Sequence, residues 1–488
     1  NFHGCSKVDC QNEKARCMKH KRHALLSVSN KDGLVELARE LISNDYSILA
    51  SDGTALFLEK NGISVKSIEE VTGSPELFAG RVKTLHPLIH GAILFDRSDP
   101  TQVNEAERTG TLDIDVVIVN LYSPEKFDIG RPALIRAAAK NYKSVSILTS
   151  PNQYEHFASL LKSGIRVEDR KLWASQAIEV TARYDLALLK EFGEPLRYGE
   201  NPHQSGVLVG SAGVASARLI QGKQPSFNNY LDLDIASQVV ADHSENTFVI
   251  VKHGMPCGVA IDEDSKLAFT KALASDPVSA FGGAIASNQE VDEEVAAEIV
   301  GNFYEALIAP AFTEGSLKVL AKKPNLRVLE FTARTEPDFQ LREIDGGFLL
   351  QSPDRELNSE EFNLVSGDAL DKEDFADLSF AWTTVARCRS NAIVIAKSKA
   401  TIGIGAGQVN RLDAARDAIR RAGDYVQGAV AASDGFFPFP DGLEALAASG
   451  IKALVAPSGS IRDKEVIESA NKSGISLYFA TRRHFSHG

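Results

Sequence analysis

Residues 1 to about 22 are polar and aperiodic, and the chain changes character at Ala24, where a short apolar run leads into Ser27, Ser29 and Lys31. Beyond it, Leu34, Leu37, Ala38 and Leu41 recur at the spacing that places them on one face of a helix. The pattern predicts a strand, a turn and a helix. It returns further on: Ser47 to Ala50 is strand-like, Val116 to Asn120 is a continuous apolar run and Val145 to Leu148 is another. Strands alternating with helical stretches predict a largely parallel, doubly wound sheet.

A second region opens near Arg197, with buried strands predicted at Phe248 to Val251, Ile393 to Ala396, Ala453 to Ala456 and Leu477 to Ala480. It echoes itself. Val249, Ile250, Val251 and then Lys252 resemble Ile393 to Ala396 and then Lys397, while Ser275, Asp276 and Phe281 resemble Ser433, Asp434 and Phe436. Duplication of one α/β unit and chance similarity of two buried strands both account for this. The divisions expected are a disordered or processed tail over 1–22, a first domain over 23–190, and a region over 191–488 built from two similar α/β subdomains.

The chain of 488 residues, 43% hydrophobic and 24% charged, has material for several cores. A net charge of -12 argues against a nucleic-acid surface, since phosphate backbones are held by clustered Lys and Arg. A local basic pocket for a small anion is compatible with that total. No apolar run approaches the roughly 20 residues that cross a bilayer, and the start lacks an apolar signal core. A soluble cytoplasmic protein is expected, with organelle targeting by the tail left open. Cys5, Cys10 and Cys17 with His20 lack zinc-ligand spacing and read as part of a reduced tail.

Several polar clusters sit where strands end. Ser29-Asn30-Lys31 and Ser51-Asp52-Gly53-Thr54 each follow a predicted strand and open a predicted helix, a place where free N–H groups bind phosphate. Arg81-Val82-Lys83-Thr84 supplies two cations and a hydroxyl, though a solvated surface loop has the same composition. Tyr122, Asp128 and Lys140 could form a proton-transfer set around one anionic ligand. In the second region, Arg197 and Tyr198 open a dense polar run, and Lys252 and His253 directly follow a continuous strand, where α/β sheets place catalytic groups. Pro256-Cys257 is half of a zinc-deaminase ligand motif, but Ala260 stands where the second thiolate belongs and no H-x-E is present, so no metal is expected. Gly403, Gly405 and Gly407 depart from the dinucleotide pattern and lack its ribose acid, which argues against a nicotinamide oxidoreductase; a phosphate-approaching turn with Arg411 as counter-charge fits better. Phe436 beside Asp434 suits the apolar slot and the acceptors that a pterin needs.

Taken in order from Ala24 to the C-terminus, these motifs closely resemble the bifunctional purine biosynthesis family. Its N-terminal part is an inosine monophosphate (IMP) cyclohydrolase and its C-terminal part an aminoimidazole carboxamide ribonucleotide (AICAR) transformylase. The resemblance implies a methylglyoxal-synthase-like doubly wound α/β domain, then a duplicated cytidine-deaminase-like α/β transformylase region without zinc, and a homodimer. It also implies 10-formyltetrahydrofolate as co-substrate, with AICAR, formyl-AICAR and IMP as ligands. By position, Lys252 and His253 would do the formyl-transfer chemistry. Arg197, Tyr198, Asn229, Glu305, Asn391, Arg411 and Arg483 would bind the ribonucleotide, and Phe281, Ile404, Asp434 and Phe436 would lie near the folate. In the first domain, Ser29, Lys31, Ser51, Gly53, Thr54, Arg81 and Thr84 would cradle the nucleotide. Lys83, Tyr122, Asp128 and Lys140 would serve ring closure.

The chain departs from the family pattern at Asp52 and Arg131, which stand where Gly is usual, at Ala133 in place of Thr, and in the short stretch from Tyr122 to Asp128. Ring closure slower than formyl transfer is expected from these changes. A transformylase alone, or a non-catalytic metabolite-binding relative, is the alternative.

Overall fold

A computed structural model describes residues 21–75, 78, 82–331, 333–355, 357 and 362–487. The chain divides into two compact units, Asn1–Phe192 and Gly193–Gly488.

Unit 1 is built on five strands: β1 (Arg22–Ser27), β2 (Ser47–Ala50), β3 (Lys66–Ser67), β4 (Asp113–Val119) and β5 (Ser146–Leu148). They pair in the order β3-β2-β1-β4-β5, and every pairing is parallel. Because side chains alternate across a strand, Ala24, Leu26, Ile48, Val116 and Ile118 pack on one face, together with Leu34, Leu37, Ala38 and Leu41 of helix Leu34–Ser43. Leu25, Leu49, Val117 and Val119 pack on the other, against Ile89, Ile93, Leu134 and Ile135. Both faces are covered, as an all-parallel sheet requires. The order of connection reverses between β1 and β4, so a crevice opens at their carboxyl ends.

Unit 2 begins with a small hairpin of β6 (Glu194–Leu196) and β7 (Gly206–Leu208). Next come β8 (Arg218–Gln221), β9 (Thr247–Lys252), β10 (Met255–Ile261), β11 (Ala284–Ser287), β12 (Ala306–Ala309) and β13 (Arg327–Glu330). A second hairpin, β14 (Gln340–Ile344) with β15 (Gly347–Gln351), separates these from β16 (Asn363–Ser366), β17 (Ile393–Lys397), β18 (Ala400–Gly405), β19 (Val430–Ser433), β20 (Ala453–Pro457) and β21 (Ser476–Ala480).

Twelve of these strands form one mixed sheet in the order β16-β21-β20-β19-β17-β18-β10-β9-β11-β12-β13-β8. Read outward from the central β10–β18 contact, the two halves repeat each other strand for strand, with the same sense at every pairing. The echo at Lys252 and Lys397 belongs to this repeat, since each ends an equivalent strand, β9 or β17. The second echo does not. Ser275 and Asp276 precede β11, whereas Ser433 ends β19, the equivalent strand.

The glycine run also reads differently in three dimensions. Gly403 and Gly405 lie within β18, where an added Cβ would collide with the carbonyl oxygens of Ala418 and Ala414 in helix Arg411–Ala422. They let a helix lie directly on a strand, so they form neither a phosphate turn nor a dinucleotide loop. Gly258 of β10 meets Ala272 of helix Ser265–Ser275 in the same way.

Candidate functional site

At the carboxyl edge of the unit 1 sheet, Asn120 ties the loops together. Its Oδ1 accepts from the Ser29 N–H at 2.6 Å, the Ser29 hydroxyl at 2.8 Å and the Asn30 N–H at 3.0 Å, while its Nδ2 donates to the Asn30 carbonyl at 3.0 Å. The hydroxyls of Ser27 and Ser51 lie 3.0 Å apart, and Thr54 Oγ1 accepts from the Val28 N–H at 3.1 Å. Helix Asp52–Lys60 starts here, with no side-chain cap from Ser51 on its first turn. A Cβ added at Gly53 would meet no atom within 4 Å, so the chain leaves space beside it.

Charged groups complete this edge. Asp52, at the first position of the helix, forms an ion pair with Lys83 and so puts a carboxylate on the dipole end that would otherwise favour a ligand anion. Burial, with the Arg131 charge adding to it, holds the Lys83 pKa below the ordinary lysine value. The Arg131 guanidinium lies 3.8 Å from the Tyr122 ring centroid, and its Nε donates to Ser27 Oγ at 3.3 Å. Asp128 Oδ1 accepts the Arg131 backbone N–H at 3.2 Å. Asp128 Oδ2 and Arg131 Nη1 are buried without a hydrogen-bond partner, so an anion-and-donor ligand has groups to satisfy. Thr84 joins them: its hydroxyl would stand 2.7 Å from a Cβ on Gly130. Lys31 lies 5.5 Å from the Phe57 ring centroid. Lys140 is the last residue of helix Gly130–Lys140, roughly 15 Å of helix away from the Asp128 end, so this chain does not bring it to Tyr122 and Asp128. Arg81 lies outside the described residues, as do Cys5, Cys10, Cys17 and His20.

In unit 2, Lys252 and His253 occupy the tip of the β9–β10 hairpin. Met255 pairs with Lys252, which leaves a two-residue turn of His253 and Gly254, both at positive φ (55° and 72°). Lys252 Nζ donates to the Phe281 carbonyl at 2.7 Å. Phe281 itself is 59% exposed and packs against Phe303 at 5.2 Å between centroids. The Glu305 N–H donates to the Gly283 carbonyl at 3.0 Å, which holds Glu305 next to the segment carrying Phe281; its carboxylate pairs with Arg327. Asn229 closes a capping box with Ser226 at the start of helix Phe227–Ala241. Asn228, beside it, donates to the Glu200 carbonyl at 3.2 Å, so the run carrying Arg197 and Tyr198 is tied near Asn229. Arg197 donates to the Tyr198 hydroxyl at 2.6 Å.

A second group lies across the central strands. Asp434 is fully buried and accepts from Ser390 Oγ, from the Ala392 N–H at 2.9 Å and from Arg411, itself 5% exposed. Arg411 and Asp434 thus neutralise each other instead of facing separate ligands. Asn391 donates through Nδ2 to the Gln408 carbonyl at 2.8 Å. Arg483 is exposed over the Phe485 ring, and the adjacent His484 N–H donates to the Asp434 carbonyl at 3.0 Å. Phe436 is half-buried, while Ile404 is buried in the sheet core. The two groups approach through Arg389, whose Nη2 would lie 2.8 Å from a Cβ on Gly254. Cys257 is a buried thiol whose pKa burial pushes up to about 12.

Sequence reasoning missed Asp232. Its Oδ1 accepts the Gly254 N–H at 2.7 Å, directly behind His253. No sequence pattern distinguished it, because an acidic residue inside a helix ordinarily reads as surface.

The geometry defines the class: an α/β protein with a polar crevice at the carboxyl edge of one unit's sheet and a Lys-His hairpin tip in the other. The AICARFT/IMPCHase bienzyme family model matches residues 138–421, and the MGS-like domain model matches 33–147. The chain is 43% identical to "Bifunctional purine biosynthesis protein PurH" of Corynebacterium glutamicum, covering 96% of this chain and 98% of that protein. The relatives of the same name from Aquifex aeolicus and Mycobacterium marinum are each 42% identical, over 95% and 96% of this chain and 100% and 98% of theirs. The chain belongs to the AICARFT/IMPCHase bienzyme family and is an enzyme of purine biosynthesis. These matches run through both units, and neither the transformylase-only alternative nor the non-catalytic one gains support from them.

Proposed function

We propose that the chain carries out the last two steps of purine-ring construction, with formyl transfer in the 191–488 region and ring closure in the 23–190 domain. The donor is 10-formyltetrahydrofolate. The AICAR amine attacks the formyl carbon, His253 accepts the amine proton, and Lys252 faces the oxyanion of the tetrahedral intermediate; the folate N10 then leaves and takes up a proton. In unit 1 the carboxamide nitrogen of formyl-AICAR attacks the formyl carbon and water is lost. Tyr122, Asp128 and Lys83 serve that proton traffic, while Ser29, Lys31, Ser51, Gly53, Thr54 and Thr84 hold the nucleotide.

The hairpin tip supports this assignment above all other features: it sets a base and a cation side by side and ties the cation to exposed Phe281, which suits an aromatic folate. Arg197 and Arg483 are assigned to the nucleotide end, while Arg411, paired with buried Asp434, supports the site from behind. A homodimer is part of the proposal, as the family resemblance implies. We assign the protein to the cytoplasm. Separately, among the described residues no helix is long and apolar enough to cross a membrane. The test supplies AICAR and formylfolate together, with chelator present, and follows IMP. Accumulation of IMP supports both steps; arrest at formyl-AICAR removes ring closure, and no formylation removes the transfer step, with ring closure then decided by supplying formyl-AICAR.

A further inference from the structure

We propose that Asp232 is a positioning residue for formyl transfer, holding the His253–Gly254 turn so that the imidazole stands where the amine proton leaves. The inference rests on His253 being the base, as argued above. The left-handed backbone at His253 is an uncommon conformation for a residue with a Cβ and persists only where the surroundings impose it. Asp232 holds the turn from below: its carboxylate takes the Gly254 N–H at 2.7 Å and lies close to the His253 backbone. Neither the His253 nor the Gly254 N–H can be satisfied by the two-stranded ladder, because the tip lies beyond its last pair.

The repeat within unit 2 provides an internal control. In the other half, the β17–β18 hairpin turns through Ser398 and Lys399, again both at positive φ (54° and 52°). There Asp377 accepts the Ser398 N–H at 2.7 Å and the Lys399 N–H at 2.6 Å. Asp232 is the sixth residue of helix Phe227–Ala241, and Asp377 is the sixth residue of helix Lys372–Val385. One carboxylate clamp therefore serves both hairpins, and only one of the clamped turns carries an imidazole. The clamp belongs to the repeated unit, and its catalytic consequence arises where His253 rides on it. Charge matters as well as geometry, because Lys252, Arg389 and Asp232 all surround the same tip.

The experiment compares Asp232→Ala, Asp232→Asn, Asp377→Ala and His253→Ala in the full chain, measuring kcat and KM for AICAR together with Tm. Asp232→Ala is expected to lower formyl-transfer kcat by about 10²-fold, the scale of a misplacement of about 1 Å, with KM nearly unchanged. Asp232→Asn, which keeps an oxygen acceptor, is expected to recover part of kcat. Asp377→Ala should lower Tm comparably and leave kcat within a factor of about three, as a purely structural clamp would. Equal kcat losses at Asp232 and Asp377, or a loss confined to KM, would overturn the proposal. Should Asp232→Ala fail to fold, the kcat of Asp232→Asn decides: parental turnover overturns the proposal and reduced turnover at unchanged KM supports it. Full activity in His253→Ala would instead remove the base assignment itself.

Discussion

Unit 1 gathers its polar groups at one edge of a parallel sheet, whereas unit 2 distributes them over two copies of a repeated half. In unit 1 the order reversal between β1 and β4 creates the crevice, and the loops after β1, β2 and β4 all open into it. Any polar residue just past those strands is delivered to the same place. In unit 2 the duplicated sheet makes two equivalent hairpins, and only one of them carries the Lys-His pair proposed for the chemistry. A crevice at a switch point follows from topology alone, while a site on a repeat depends on which copy kept the reactive side chain.

The comparison is tested most severely by His253→Ala. General-base removal typically costs about 10²- to 10⁴-fold, so formyl transfer should nearly vanish. Ring closure of supplied formyl-AICAR should remain at the parental rate, because its groups lie on a different unit with its own core. Loss of both activities would mean that the units do not work independently.

Next in size is the contrast between two arginines of unit 2. Arg411 forms a buried pair with Asp434, and removing one partner of such a pair costs about 3 to 5 kcal/mol. Arg411→Ala should therefore lower Tm sharply at any salt concentration. Arg483 is exposed, and Arg483→Ala should leave Tm unchanged while weakening nucleotide binding several-fold, less so as salt rises. A stable Arg411→Ala protein that binds nucleotide weakly would place the phosphate on Arg411 after all.

Much of unit 1 was legible because period and position coincide there. Leu34, Leu37, Ala38 and Leu41 are all buried as their spacing requires, and the strands after Ala24, Ser47 and Val116 lie where apolar runs placed them. Unit 2 was less legible. Its central strands pair antiparallel through two-residue turns whose φ values depend on a carboxylate from a distant helix, and no local pattern encodes that. Gly403 and Gly405 misled for a related reason: close packing of a helix on a strand and approach to a phosphate both demand the absence of a Cβ. Arg411 and Asp434 were each legible as charged groups, but their pairing is a contact between elements 23 residues apart.

A smaller effect is expected at Asp52. Its carboxylate sits on a helix N-terminus and binds Lys83, so a nucleotide phosphate held there, as proposed, would have to displace it. Asp52→Gly should tighten IMP binding by about tenfold, given that a charge at a helix end is worth on the order of 1 to 2 kcal/mol. The variant should also close formyl-AICAR faster, narrowing the gap between the two activities. Unchanged affinity in calorimetry would show that the phosphate lies away from this helix.

The smallest difference concerns mild acid. His23 and His90 in unit 1 and His243 in unit 2 all have pKa values held below the ordinary 6.5, with burial the main cause in each. Such a group takes up a proton more readily in the unfolded chain. Its contribution to stability is complete above 6.5 and is lost as pH falls through that value towards the lower folded pKa. Burial raises the carboxyl pKa of Asp115 in unit 1 and of Asp232 in unit 2, which acts in the opposite sense as pH falls towards the ordinary 3.8. Each unit has one of these, so the difference between units rests on the histidines. Between about pH 7.5 and 5.5, unit 1 should lose more stability than unit 2. The two tryptophans report the units separately, Trp173 in unit 1 and Trp382 in unit 2, each nearly fully buried. Urea titrations of Trp382→Phe and Trp173→Phe, each followed by the remaining indole at both pH values, give the two shifts. A larger shift at Trp382 would show that other groups govern acid sensitivity, whereas His90→Gln reducing the shift at Trp173 would tie it to the buried imidazole.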